Sequence, residues 1–164
     1  MAITEVSALW FLPFVLPICF YVAFTDLRDM RITNQAVLAL AAVFLIVGLF
    51  ALPLSVYGTR VIQMLAILLL GIVLNAAGAV GAGDAKFAAA AAPYIAAGDL
   101  RLLLALFAAN LLAAFVTHRL AKYTALRRIA PGWTSWDRGW DFPMGLSLGG
   151  TLAIYLLLGA VYGS

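Results

Sequence analysis

Cysteine, histidine and charge are all scarce in this chain of 164 residues, which has one Cys, one His, ten Lys and Arg and seven Asp and Glu. The lone Cys19 excludes an internal disulfide or a multi-thiolate metal site, and its place in an apolar run marks it as inert packing. The lone His118 excludes a histidine-rich metal cluster, so no metal and no cofactor is implied. Charged residues make up 10% of the chain, against about 25% in ordinary soluble domains. With 66% hydrophobic residues and a mean hydropathy of +1.09, the composition is that of an integral membrane protein. The apolar runs lack the alternating polar positions of a barrel strand, so the spans are helices.

One domain over residues 1–164 accommodates six such spans, an all-α polytopic plan. The first reads from Ser7 to Thr25, with Pro13 and Pro17 set to kink it. Met1 to Val6 has no Lys or Arg, which identifies a retained helix rather than a cleaved signal. A second span runs from Asn34, capped by Thr33 or Asn34 itself, to Ala51. Pro53 to Gly58 reads as a connection, and a third span as Arg60 to Ala79. The fourth, Asp84 to Ala97, falls short of the roughly 20 residues a crossing needs, so it is expected to be short, tilted or re-entrant. Asp99 reads as the N-cap of a fifth span, Leu100 to Ala121, and Phe142 to Tyr162 as the sixth.

The scarcity of charge makes the few exceptions informative. Between Arg60 and Asp99 the charged residues are Asp84 and Lys86, both in Gly81-Ala82-Gly83-Asp84-Ala85-Lys86. A carboxylate at membrane depth costs roughly 2.5–3.5 kcal/mol on insertion scales and marks a functional site by default. Gly81 and Gly83 suggest an unwound segment before Asp84, where a carboxylate meets both water and an extended chain. An Asp84–Lys86 ion pair is the bland alternative, but residues two apart do not face each other on a helix.

Orientation follows from the basic residues. With the N-terminus outside, eight of the ten Lys and Arg, including Arg28, Arg31 and Lys86, fall on the cytoplasmic side, and Arg60 and Arg101 outside. Asp26, ending the first span, then shares the inner side with Asp84. Two carboxylates in a partly dry site share one proton, so that one takes a proton from water while the other polarises a carbonyl. Asp29, beyond the end of the span, reads as part of a solvated turn.

These residues carry a resemblance. Gly81-Ala82-Gly83-Asp84-Ala85-Lys86 is similar to the GxGDxK motif of the type IV prepilin peptidase family of intramembrane aspartic proteases, and Asp26 to Asn34 resembles that family's first aspartate with its basic turn. Pro143-Met144-Gly145, opening the sixth span, adds to the likeness. The resemblance implies that Asp26 and Asp84 are the catalytic pair, with Gly81, Gly83 and Lys86 shaping the site. It implies an inner-membrane endopeptidase that removes the basic leader of prepilin-like precursors at the cytoplasmic face. Larger members add a cytoplasmic region with paired CxxC motifs, associated with N-methylation. No such region is present here, so the chain resembles the short form serving Tad or Flp pili, or the archaeal preflagellin peptidases, and methyltransferase activity is not implied. A prepilin and the bilayer are the implied partners, pilus or secretion assembly proteins stay open, and nucleic acid is not a partner.

Other polar residues have plainer readings. His118 sits near an inner helix end, beside Arg119 and Lys122, where a cation or a lipid contact is expected. Arg127, Arg128, Trp133, Trp136 and Trp140 read as an interfacial anchor, with a gate for the leader as the second option. Gln63, Asn75 and Asn110 are expected to hydrogen-bond between helices. A small proton- or ion-coupled transporter component, binding its ion at Asp84 and Lys86, is the alternative function.

Overall fold

The computed structural model describes residues 1–139 and 141–164. Its helices are α1 (Glu5–Asp29), α2 (Asn34–Ala51), α3 (Leu54–Ala76), α4 (Ala82–Ala91), α5 (Leu100–Tyr123) and α6 (Met144–Tyr162). Short 3-10 turns occupy Ala92–Tyr94, Ala97–Asp99, Ala125–Ile129 and Thr134–Trp136. Among the described residues, five helices are long and apolar enough to cross a membrane; α4 is the exception. At 10 residues it spans about 15 Å, half of a hydrocarbon core of about 30 Å.

Polar contacts fix which helix ends meet. At one end Ser7 Oγ of α1 donates to the Ala51 carbonyl that ends α2, at 2.9 Å. Asp99, just before α5, accepts there from the N–H groups of Ala2 (2.8 Å) and Ile3 (3.0 Å). At the other end Lys86 Nζ of α4 donates to Asn34 Oδ1, where α2 begins, at 3.1 Å. The chain from Ala82 to Asp99 therefore runs from one end of the bundle to the other without turning back. Its second half is not regular helix, and irregular backbone is tolerated at membrane depth only when protein encloses it. Ala89 to Ala96 are all buried. Gln63 Nε2 donates to the Ala92 (2.7 Å) and Ile95 (3.3 Å) carbonyls, and Tyr155 Oη accepts from the Ala96 N–H at 3.0 Å.

The core lies between α1, α2 and the stretch after α4. The Phe11 ring meets Tyr94 edge-on at 4.8 Å, and Phe44 stacks on Tyr57 at 5.5 Å. The closest helix pair is α1 with α6, and small residues make it so. A Cβ at Gly149 would lie 2.9 Å from the Cys19 carbonyl, and one at Gly159 would lie 2.9 Å from Ile3 Cγ2. Cys19 is a buried free thiol in this seam, as its apolar surroundings suggest.

Several expectations need correction. Pro53 to Gly58 is not a connection, because α3 begins at Leu54; Pro53 has φ −57° and starts the helix it was expected to precede. At the other end, α3 stops at Ala76 through a Schellman turn. Gly78 sits at φ +73°, with the Gly78 N–H bonded to Asn75 O and the Ala79 N–H to Leu74 O. Asn75 Nδ2 donates to Val80 O within this same turn and not to another helix. Gln63 and Asn110 do bond across elements, Asn110 to Ser147 O and Thr151 Oγ1 of α6. Asp99 makes no side-chain cap for α5; the nearby N–H groups of Ala2 and Ile3 and the Tyr155 hydroxyl take up its carboxylate instead. Thr33, the first of the two capping candidates, caps α2 by accepting from the Ala36 N–H.

Candidate active site

Three helix ends converge at the end of the bundle that carries Lys86. Asp26 lies in the last turn of α1, Asp84 in the first turn of α4, and Gly145 in the first turn of α6. Asp26 is 6% exposed. Its Oδ2 accepts the Gly145 N–H at 2.6 Å, a contact spanning 119 positions of sequence. Behind it the chain reverses sharply. Met30 adopts φ 53°, unusual for a residue with a Cβ, and its N–H caps α1 on the Asp26 carbonyl at 2.9 Å. That turn folds Arg31 and Ile32 back toward α4.

Asp26 and Asp84 line one cavity of about 430 Å³, with Met30, Arg31, Ile32 and Asn34 on one side and Gly81, Gly83, Lys86, Phe142 and Met144 on the other. Such a cavity holds water beside a polypeptide segment, with two acids and two bases, Arg31 and Lys86, on its wall. A second, apolar cavity of about 250 Å³ lies deeper between α3, α4, α5 and α6 and contains no charged group.

Asp84 and Lys86 do not pair. The ion pairs among the described residues are Arg28–Asp29 and Arg127–Asp137, and Lys86 reaches Asn34 across the cavity instead. Asp29 is a solvated partner of Arg28, with both side chains about half exposed (46% and 50%). Gly81 and Gly83 differ in what they do. Gly83 lies inside α4, so the segment next to Asp84 is not unwound; the break in the helix comes earlier, at Gly78 to Gly81. A Cβ at Gly83 would meet Ile32 Cβ at 3.3 Å, a packing contact, whereas a Cβ at Gly81 would lie 2.7 Å from Asp84 Oδ2.

The aromatic and basic tract after α5 folds inward. His118 is 3% exposed and stacks on Trp136 at 5.0 Å, with Phe142 edge-on at 5.8 Å. Its ring nitrogens have no hydrogen-bond partner among the described residues. It is therefore a core aromatic and not a lipid-facing cation. Trp133 stacks on Trp136 and meets Phe24 of α1 at 6.0 Å, which makes this part of the tract a strap across α1 and α5, while Leu126 and Ile129 stay exposed beside it. Arg119 and Lys122 donate to the Gly139 carbonyl and tie the strap down. Trp140 lies outside the described residues.

Sequence reasoning missed Gly145 as a partner of Asp26, and Ile32 and Phe142 as cavity walls. Pro143-Met144-Gly145 stood out as the opening of a helix, but nothing in one sequence says which distant carboxylate its N–H meets.

In comparisons with known proteins, residues 13–118 match a family model described as the type IV leader peptidase family. No curated protein and no solved structure matches the chain. The matched stretch holds both Asp26 and Asp84 and ends before Gly145. It favours peptide-bond chemistry over the ion-coupled transporter alternative.

Proposed function

Because the chain belongs to the type IV leader peptidase family, we propose that this peptidase is of the aspartic type, with Asp26 and Asp84 as its two reacting carboxylates. The observation that carries the reading is their placement on one cavity of about 430 Å³, although 58 positions separate them in sequence. One carboxylate takes a proton from a water held between them as the water oxygen attacks the scissile carbonyl carbon. The other, protonated, donates to the carbonyl oxygen. Collapse of the tetrahedral species breaks the C–N bond: the proton first taken from water passes to the leaving amine, and the second carboxylate takes a proton back from one of the two hydroxyls, which restores the pair. The pair titrates as a unit throughout. Arg31 and Lys86 add positive charge at the rim without neutralising either acid through an ion pair.

The substrate we propose is a prepilin-like precursor with a basic leader, cut at the cytoplasmic face of the inner membrane with the N-terminus of the enzyme outside. Support for that face is the crowding of Arg28, Arg31, Lys86, Arg119 and Lys122 at the same end as the two acids, which the positive-inside rule assigns to the cytoplasm. Tad or Flp pilus precursors are the first candidates, and cleavage without N-methylation is expected. Purified protein in detergent or proteoliposomes, given a precursor peptide and analysed by mass spectrometry, tests the reading. Cleavage by the wild type and none by Asp26→Asn or Asp84→Asn is the expected result; full activity in either variant would reject the assigned pair.

A further inference from the structure

Asp26 and Asp84 are not equivalent in their surroundings. Asp26 is buried and holds one strong donor, the Gly145 N–H at 2.6 Å, whereas the Asp84 carboxylate has no hydrogen bond among the described residues and is partly exposed. The fit behind Asp26 is also tight. A Cβ at Gly145 would lie 2.9 Å from Asp26 Cβ, 3.0 Å from its Oδ2 and 3.1 Å from its Cγ, so any side chain there would displace the carboxylate itself. We propose that Gly145 is a positioning residue for the peptidase reaction, its N–H holding Asp26 Oδ2 and so fixing how the Asp26 carboxylate faces the shared cavity.

The proposal rests on the aspartic reading above. A peptide N–H aimed at a carboxylate oxygen is a charge-assisted bond that favours the ionised form and fixes its orientation. With Oδ2 so occupied, Asp26 Oδ1 is the oxygen left to exchange a proton with the reacting groups in the cavity. The donor is a backbone group on α6, so the strength of this arrangement depends on how closely α6 approaches α1. Glycine sets that approach.

A second glycine in the same seam supplies the control. Gly159, about 20 Å along α6 from Gly145, would place a Cβ 2.9 Å from Ile3 Cγ2 and 3.1 Å from Ala8 Cβ, at the other end of the bundle from Asp26. A mere packing role makes Gly145→Ala and Gly159→Ala equivalent. Positioning separates them. Gly145→Ala is expected to lower kcat by about 100-fold with KM unchanged, the cost of moving a reacting group by a fraction of an ångström to an ångström. Gly159→Ala is expected to lower the thermal midpoint while kcat per folded molecule stays within about twofold of the wild type. Equal losses of kcat in the two variants, or normal kcat in folded Gly145→Ala, would overturn the proposal.

A measurement on the native sequence keeps the test decisive if Gly145→Ala fails to fold. Met144-Gly145 is the sole Met-Gly step in the chain, so carbonyl-labelled methionine with amide-labelled glycine selects the Gly145 resonance alone. That amide proton is expected downfield and moves upfield in Asp26→Asn. A resonance that ignores the substitution would overturn the proposal. A wild type that cleaves no precursor peptide would instead reject the peptidase reading, whatever this resonance does.

Discussion

Gly81→Ala should damage catalysis far more than stability. The added Cβ would lie 2.7 Å from Asp84 Oδ2, while ordinary contact begins at 3.4 Å, so the carboxylate must move by about 0.7 Å. The backbone does not resist the change, since Gly81 has φ −64° and ψ 142°, values open to alanine. Swinging the Asp84 side chain off its rotamer costs about 0.5–1.5 kcal/mol, and alanine is a poorer helix cap than glycine by up to about 1 kcal/mol. A folded enzyme survives such a loss. A reacting oxygen misplaced by close to 1 Å, however, costs on the order of 10–100-fold in rate. Gly83→Ala makes the informative comparison. Its Cβ meets Ile32 at 3.3 Å, a contact relieved by a shift of a few tenths of an ångström, and alanine inside a helix gains about 1 kcal/mol over glycine. Near-normal specific activity is therefore expected for Gly83→Ala, against a kcat loss of 10–100-fold for Gly81→Ala. Both would be measured on purified protein with amounts normalised, following cleavage of a precursor peptide. The reverse order, with Gly83→Ala inactive and Gly81→Ala normal, would refute the reasoning and restore the idea of an unwound strand beside Asp84.

Three further outcomes are expected. Asp29→Asn should retain cleavage within about twofold, because Asp29 holds only the exposed Arg28, a kind of pair worth at most about 1 kcal/mol; loss of activity comparable to Asp26→Asn would move the first reacting carboxylate to position 29. Met30→Gly should raise the thermal midpoint modestly, since relief of a left-handed backbone is worth about 1 kcal/mol; a lowered midpoint would mean that the Met30 side chain contributes more than its backbone costs. Asp99→Ala should lower the thermal midpoint strongly while leaving specific activity intact. It strips three donors, the N–H groups of Ala2 and Ile3 and the Tyr155 hydroxyl, and each buried donor left unsatisfied costs about 1–3 kcal/mol; an unchanged melting curve would show that water replaces the carboxylate freely.

Composition by itself determined the class of this protein. With so little charge and so much apolar length, a helical membrane bundle is the one arrangement that satisfies the backbone, and the shortness of the fourth segment was plain from counting residues. Asp84 stood out because a carboxylate deep in an apolar stretch is costly, and Asp26 because it ends the first span on the same side; the fold sets both on one cavity. What tertiary structure alone decided is how each polar group is answered. Asp99 looked like a helix cap because capping is a local interaction, readable in one sequence; its true partners come from the first residues of the chain and from α6, and only packing brings those together. His118 looked like a cation or lipid contact because it sits near a helix end beside Arg119 and Lys122, but its burial under Trp136 depends on where a strap lands. Gly81 and Gly83 were indistinguishable in sequence, and a single turn of α4 points one at a carboxylate and the other at Ile32. Gly145 lay furthest from view. Its contribution is a backbone N–H, which every residue but proline carries, so no side-chain signal marks it. The close approach of α6 to α1 turns that ordinary group into the partner of Asp26.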